Sequence, residues 1–283
     1  MKMNKIAFAV IAALCAFTFF SCDLLMTPIL PESILKYAPE AGELDEVETE
    51  DLVNAASDIS IVADPDAAKA VIEALGSRDL SQLNDEQKST ILALTTSAVL
   101  PVNTLLGTVY DLMEGNTNRI VLDVAPVEND DNNAGQAEEE QIFKVIKSVV
   151  SKIHFVDTLA TENILLAMKD ADVAPTPLEV PNVLFATFSI ALSACKSNLK
   201  DYTNVNELAA DMEPLAAIFE GADQNNPPDS EDIAHEVLAA ISVDGEINEI
   251  AERELTNAID IILWLSTKQI SLDRITEYIG FGA

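Results

Sequence analysis

Two histidines, three cysteines and forty-eight acidic side chains are the residues of this chain best suited to chemistry. A histidine base needs a nucleophile beside it, and a zinc site needs further His or Cys ligands at short spacing. Neither His154 nor His235 stands at such a spacing from another histidine or cysteine. No Gly-x-Ser-x-Gly elbow surrounds a serine, and no glycine-rich phosphate loop is present. His154 precedes Asp157 by three residues and His235 follows Glu231 by four, which predicts local hydrogen bonds on helix surfaces. Both histidines are therefore read as structural.

Two stretches resemble parts of calcium loops. Asp130-x-Asn132-x-Ala134-Gly135 has the turn glycine of an EF-hand, but Ala134 stands at the fifth position and Gln141 at the twelfth, where a bidentate Glu belongs. Asp244-Gly245-Glu246-Ile247-Asn248 matches the middle of such a loop, with Ala240 at its first position and Ala251 at its twelfth. Each lacks a strong carboxylate ligand, so no metal site is assigned. Asp260 lies among Ile259, Ile261, Ile262 and Trp264, a setting that can bury a carboxylate and raise its pKa. Arg253, Asn257, Asp260, Trp264 and Thr267 nevertheless fall on one helical stripe, which predicts a wet face with Trp264 at its edge. No catalytic residue and no cofactor follow from these patterns, and the expectation is a non-enzymatic protein.

The cysteines are Cys15, Cys22 and Cys195. Cys195 ends the apolar run Phe188–Cys195, where a thiol serves as a small buried hydrophobe. The other two lie in residues 1–22, which hold Lys2 and Lys5, then the apolar run Ile6 to Phe20, then Ser21-Cys22. That run is too short for a membrane-spanning helix, which needs about twenty apolar residues. The segment resembles a bacterial lipoprotein signal peptide with a relaxed lipobox, Phe19-Phe20-Ser21-Cys22. The resemblance implies removal of residues 1–21, a diacylglycerol thioether on Cys22, and a further acyl chain such as palmitate. Two or more chains hold a protein stably at a membrane, where one is marginal. Asp23, the next residue, retains lipoproteins at the inner membrane in some bacteria, so inner and outer membrane both stay open. Cleavage would leave Cys195 as the free thiol of the mature chain, without a disulfide partner.

Net charge is −32. Removing residues 1–21 takes away Lys2 and Lys5 and no acid, leaving −34. Such a surface repels phosphate backbones and anionic head groups, which excludes nucleic acid as a partner. The 283 residues are about half apolar but poor in aromatics, and four of the ten Phe fall in the first twenty residues. The core must come from Leu, Ile, Val and Ala, a composition that suits helices packed on helices.

The elements that must position any site are accordingly helical. Residues 22–43, with Pro28, Pro31 and Pro39, read as a lipidated tether. Residues 44–283 read as one acidic all-α domain, an array or bundle of roughly ten helices. Asp64-Pro65-Asp66 starts a helix lined by Ala68, Val71, Ile72 and Leu75 and ended by Gly76. Asn84-Asp85-Glu86-Gln87 is a capping box for a helix carrying Ile91, Leu94, Thr95 and Ala98 up to Pro101. An acidic loop at 128–140 leads to the clearest periodicity, in which Ile142, Val145, Ile146, Val149, Ile153, Val156 and Ala160 predict one long helix. Pro175, Pro177 and Pro181 mark a break. Helices follow over about 182–200, over 201–221 divided near Pro214, and over Ser230 to Ser242. A last long helix has Ala251, Leu255, Ala258, Ile262 and Leu265 inward, and Ser271 caps a short final one. The pairing of short helix, acidic joint and longer helix near both ends is an echo without a repeat period.

These readings predict a lipoprotein of the cell envelope, held to a membrane through lipid on Cys22. Its helical body would act as an interaction or scaffold module for an envelope protein partner. The alternative is a solute- or lipid-binding lipoprotein accessory to an envelope transporter, with an aliphatic pocket between helices.

Overall fold

The computed structural model describes residues 44, 46–100, 143, 147–176, 179–204, 206–207, 210–211, 229–268 and 270. Among these residues the protein is all-α, without a strand, as the sequence predicts. Eight helices run in order: α1 Thr49–Ala56, α2 Ile59–Val62, α3 Pro65–Gly76, α4 Asp85–Val99, α5 Leu159–Asp170, α6 Val180–Asn198, α7 Ser230–Ile241 and α8 Glu249–Thr267. Further helical residues among those described are 143, 147–152, 206–207 and 210–211. The chain divides into two compact units, and all eight numbered helices belong to the larger. The smaller includes the described residues of 143–153 and 200–211, where Lys147 pairs with Asp201 at 2.8 Å and Lys200 with Asp211 at 2.6 Å.

Local chemistry starts the helices where the sequence signals them. Asp64 accepts from the backbone N–H of Asp66 and Ala67, and Pro65 takes the first helical position of α3, where a missing N–H costs nothing. The Asn84 side chain accepts from Gln87 N–H at 2.9 Å and the Gln87 side chain accepts from Asn84 N–H at 3.0 Å, completing the capping box of α4. Asp229 caps α7 through Glu231 N–H, and Asn248 caps α8 through Ile250 N–H.

The core of the larger unit forms around α6, which packs on α4 and α8, while α3 pairs with α4 and α7 with α8. By length and composition α6 could cross a membrane. It instead buries Val183, Leu184, Ala186, Ile190 and Ala194 among its neighbours. Fully burying a Val, Leu or Ile side chain contributes about 1.5–3 kcal/mol, so Val183, Leu184 and Ile190 do most to hold α6 in the core. Polar side chains also join the helices. Asn182 Nδ2 donates to Ser89 Oγ at 2.7 Å, joining α6 to α4, and buried Thr95 and Thr161 share a hydrogen bond between α4 and α5.

The long helix expected over 142–160 is interrupted. Ile142, Val145 and Ile146 lie outside the described residues, whereas Val149, Ile153, Val156 and Ala160 are buried as the periodicity requires. Helix nevertheless ends at 152, residues 153–158 are irregular, and α5 begins at Leu159. The backbone of this interval bonds elsewhere. His154 N–H donates to the Val99 carbonyl at 3.0 Å, and Val156 N–H donates to Ser193 Oγ at 3.0 Å. Ser193 Oγ in turn donates to the Val156 carbonyl at 2.9 Å, and Thr158 N–H goes to Glu254. Buried backbone groups must be paired, and these partners replace the helical ladder. Periodicity identified the buried side of the segment but not its hydrogen bonding.

On α8 the inward residues are Ala251, Glu254, Leu255, Ala258, Ile261, Trp264 and Leu265, while Ile262 is only half-buried. The stripe read as a wet face is mostly not one. Arg253, Asn257 and Asp260 are half-buried, Trp264 is buried, and Thr267 is exposed. The reason is α5, which lies along this side of α8 and supplies partners for Arg253, Asn257 and Asp260.

Candidate functional site

The densest group of charges among the described residues lies where the start of α5 meets α8. Asp157 and Thr158 immediately precede α5, and Glu162 stands one turn inside it. Arg253, Glu254 and Asn257 share the facing side of α8. Glu162 and Glu254 are 1% and 0% exposed, which is rare for carboxylates and demands compensation.

Arg253 supplies most of it. Its Nε donates to Glu162 Oε2 and its Nη2 to Glu162 Oε1, both at 3.1 Å, in a bidentate pair. The same Nη2 donates to Asp157 Oδ1 at 2.6 Å and lies 4.0 Å from Glu254 Oε1. Burial alone would lower the Arg253 pKa, but its bonds to Glu162 and Asp157 and their charges raise it, so it is a permanent cation. Asn257 Nδ2 adds a further donor to Glu162 Oε2. The positive end of the α5 dipole also favours anions here.

Thr158 is the N-cap residue of α5, yet its side chain does not cap the helix. The hydroxyl is diverted to the acids, 3.1 Å from Glu162 Oε1 and 2.9 Å from Glu254 Oε1. Thr158 N–H donates to the same Glu254 oxygen at 2.8 Å. Glu254 Oε2 is buried and has no hydrogen-bond partner among the described residues. Burial pushes the Glu254 carboxyl up to about 8; the Thr158 hydrogen bonds oppose this, while the Glu162 and Asp157 charges add to it.

One oxygen from each of Asp157, Glu162 and Glu254 lies within 4.8 Å of the others, close enough for a small cation to chelate. The residues present do not fit that use. Arg253 Nη2 already bonds two of the three carboxylates, and Glu162 has both oxygens engaged. A metal ion would have to expel the guanidinium. The arrangement joins two helices electrostatically, and its unbalanced feature is three acids facing one cation.

The residues singled out from sequence sit elsewhere. Cys22 and the Asp130–Gln141 stretch lie outside the described residues. His154 is half-buried, in the irregular interval and not on a helix surface. His235 is exposed and its Nδ1 lies 2.7 Å from Glu252 on α8, not against Glu231. Half-buried Cys195 has its thiol desolvated, which pushes it up to about 11. Asp244 and Gly245 form the α7–α8 turn with φ of 54° and 75°, and the Asn248 side-chain oxygen is committed to capping α8. Asp260 binds Lys169 of α5 and Ser230 of α7. Burial alone would raise its pKa, but those hydrogen bonds and the Lys169 charge hold it below the usual carboxylate range.

Sequence reading missed Glu162 and Glu254. The available signal was position: Glu254 falls on the same face as Ala251, Leu255 and Ala258, where a lone acid predicts a buried partner. Comparison with known protein families, with curated proteins and with solved structures gives no match.

Proposed function

We propose that this chain is a membrane-anchored lipoprotein of the cell envelope whose helical body is a non-enzymatic interaction or scaffold module. The observation that carries the reading is the N-terminal pattern of Lys2 and Lys5, an apolar run and Ser21-Cys22. The charge cluster at α5 and α8 accords with a structural role, because its polar atoms face one another across two helices. The strongly acidic surface favours a partner with basic or neutral contact surfaces and disfavours nucleic acid.

Fractionation tests the anchor, and cross-linking tests the module. Native protein should sediment with membranes, and the Cys22→Ser variant should be released from them. Cross-linking in intact cells should trap a discrete adduct with an envelope protein. Recovery of native protein from the cytosol would refute the anchor. A chain that cross-links to nothing but retains a small molecule in native mass spectrometry would favour solute or lipid binding instead.

A further inference from the structure

We infer that Glu254 is a proton-binding site: it carries a hydrogen on Oε1, donates it to Thr158 Oγ1, and through that hydroxyl shares a proton relay with Glu162 that locks α5 to α8.

The geometry leads there by counting hydrogens. Thr158 Oγ1 has a single hydrogen and lies within bonding distance of two acid oxygens, Glu162 Oε1 and Glu254 Oε1. With both acids ionised, one of the two contacts sets lone pairs against lone pairs. A hydrogen on Glu254 Oε1 resolves the conflict. Glu254 then donates to Thr158 Oγ1, Thr158 donates to Glu162 Oε1, and Glu254 Oε1 still accepts from Thr158 N–H. The orphaned Glu254 Oε2 becomes the carbonyl oxygen of a neutral acid, and burying it without a partner costs far less than burying an anionic oxygen. The charge balance agrees, since Arg253 then faces two carboxylates and not three.

Among the described residues no other cation bonds Glu254 in place of the proton. From α5 the charges facing Glu254 are Glu162 and, just before the helix, Asp157. Lys169 of α5 is engaged with Asp260. From α7, His235 is held by Glu252, and Glu231, Asp232 and Glu236 are exposed acids. The titratable groups of α6 are Cys195 and Lys196, and Glu254 Oε2 bonds neither. Glu73 of α3 accepts from Asp157 N–H at 3.3 Å and pairs with Lys69 at 3.7 Å.

Losing the proton places an uncompensated anion beside Glu162 and opens the Thr158 relay, so the joint loosens as pH rises. The folded-state value of about 8 lies above the usual 4.5, so the folded state holds the extra proton between them. The stability it confers is therefore complete below 4.5 and lost as pH climbs through about 8. This inference does not depend on the anchor.

The experiment is thermal unfolding of the full chain from pH 4.5 to beyond pH 8, for native protein and for Glu254→Gln, with an infrared spectrum of the native protein at neutral pH. Native Tm should fall across this interval, and the Glu254→Gln profile should lose that fall. The native spectrum should contain the C=O band of a buried protonated carboxyl, absent from Glu254→Gln and disappearing at alkaline pH. Superimposable native and variant Tm profiles would overturn the proposal. So would a native spectrum without that band, a readout that stands even if the variant does not fold. Calcium or magnesium chloride that raised native Tm but not that of Glu254→Gln would also overturn it, by placing a metal where the proton is assigned.

Discussion

Thr158 grips one oxygen of Glu254 twice, through its backbone N–H at 2.8 Å and its hydroxyl at 2.9 Å, across 96 residues of sequence. Both residues are completely buried. Thr158→Val keeps the shape and the N–H but removes the hydroxyl between the two glutamates. The expected loss is about 1–3 kcal/mol, the usual cost of leaving buried polar groups short of a partner. Urea unfolding should show the midpoint falling with an unchanged slope, which marks lost stability without a change in compactness. An unchanged midpoint would mean that the hydroxyl contributes nothing to the joint.

Among the described residues, Arg253 is the cation bonded to this cluster. Arg253→Met leaves Glu162 buried without its bidentate partner, and about 3–5 kcal/mol of stability should be lost. Arg253→Lys should recover only part of it, because a point ammonium cannot reproduce the fork that engages both Glu162 oxygens. The combined Arg253→Met, Glu162→Met variant should be more stable than Arg253→Met alone, since it removes the stranded charge. Equal instability of the single and double variants, read by calorimetry, would contradict the geometry.

The rotation of α8 about its axis is testable with two apolar residues. Ile261 is fully buried, and Leu263, two positions on, is 39% exposed. Ile261→Ala should cost about 2–5 kcal/mol, the range for large-to-small changes in a packed core. Leu263→Ala should stay within about 0.5 kcal/mol. The sequence pattern alone places Ile262 inward, so a larger loss at Ile262 than at Ile261 would restore that register.

On the acid side, Asp260 governs a separate response. Its pKa is depressed by Lys169 and Ser230, so its contribution is present above the usual value of 3.8 and lost as pH falls through the lower folded-state value. Asp260→Asn should flatten the acid limb of Tm against pH while leaving the alkaline limb in place. Loss of the alkaline limb in this variant would show that the two carboxylates do not act separately.

The helical architecture was legible because it rests on local signals. Asp64-Pro65, the Asn84–Gln87 box and the inward line of α3 are features of neighbouring residues. The break before α5 was not legible, because the partners that replace its ladder, Ser193, Glu254 and Val99, come from three other helices. The charge joint was hidden for the same reason. A sequence displays Glu162 and Glu254 among forty-eight acids, and only the meeting of α5 with α8 separates them from the solvated rest. His235 illustrates this again: the partner predicted from its own helix was Glu231, and the partner found is Glu252 on the next.

Lipid on Cys22 is what would hold the protein at the envelope, and intact mass spectrometry of the protein extracted from envelope membranes tests it most directly. The predicted species begins at Cys22 and is heavier than its polypeptide by a thioether-linked diacylglycerol with or without a further acyl chain. A full-length mass starting at Met1, or an unmodified chain cut at another position, would contradict it.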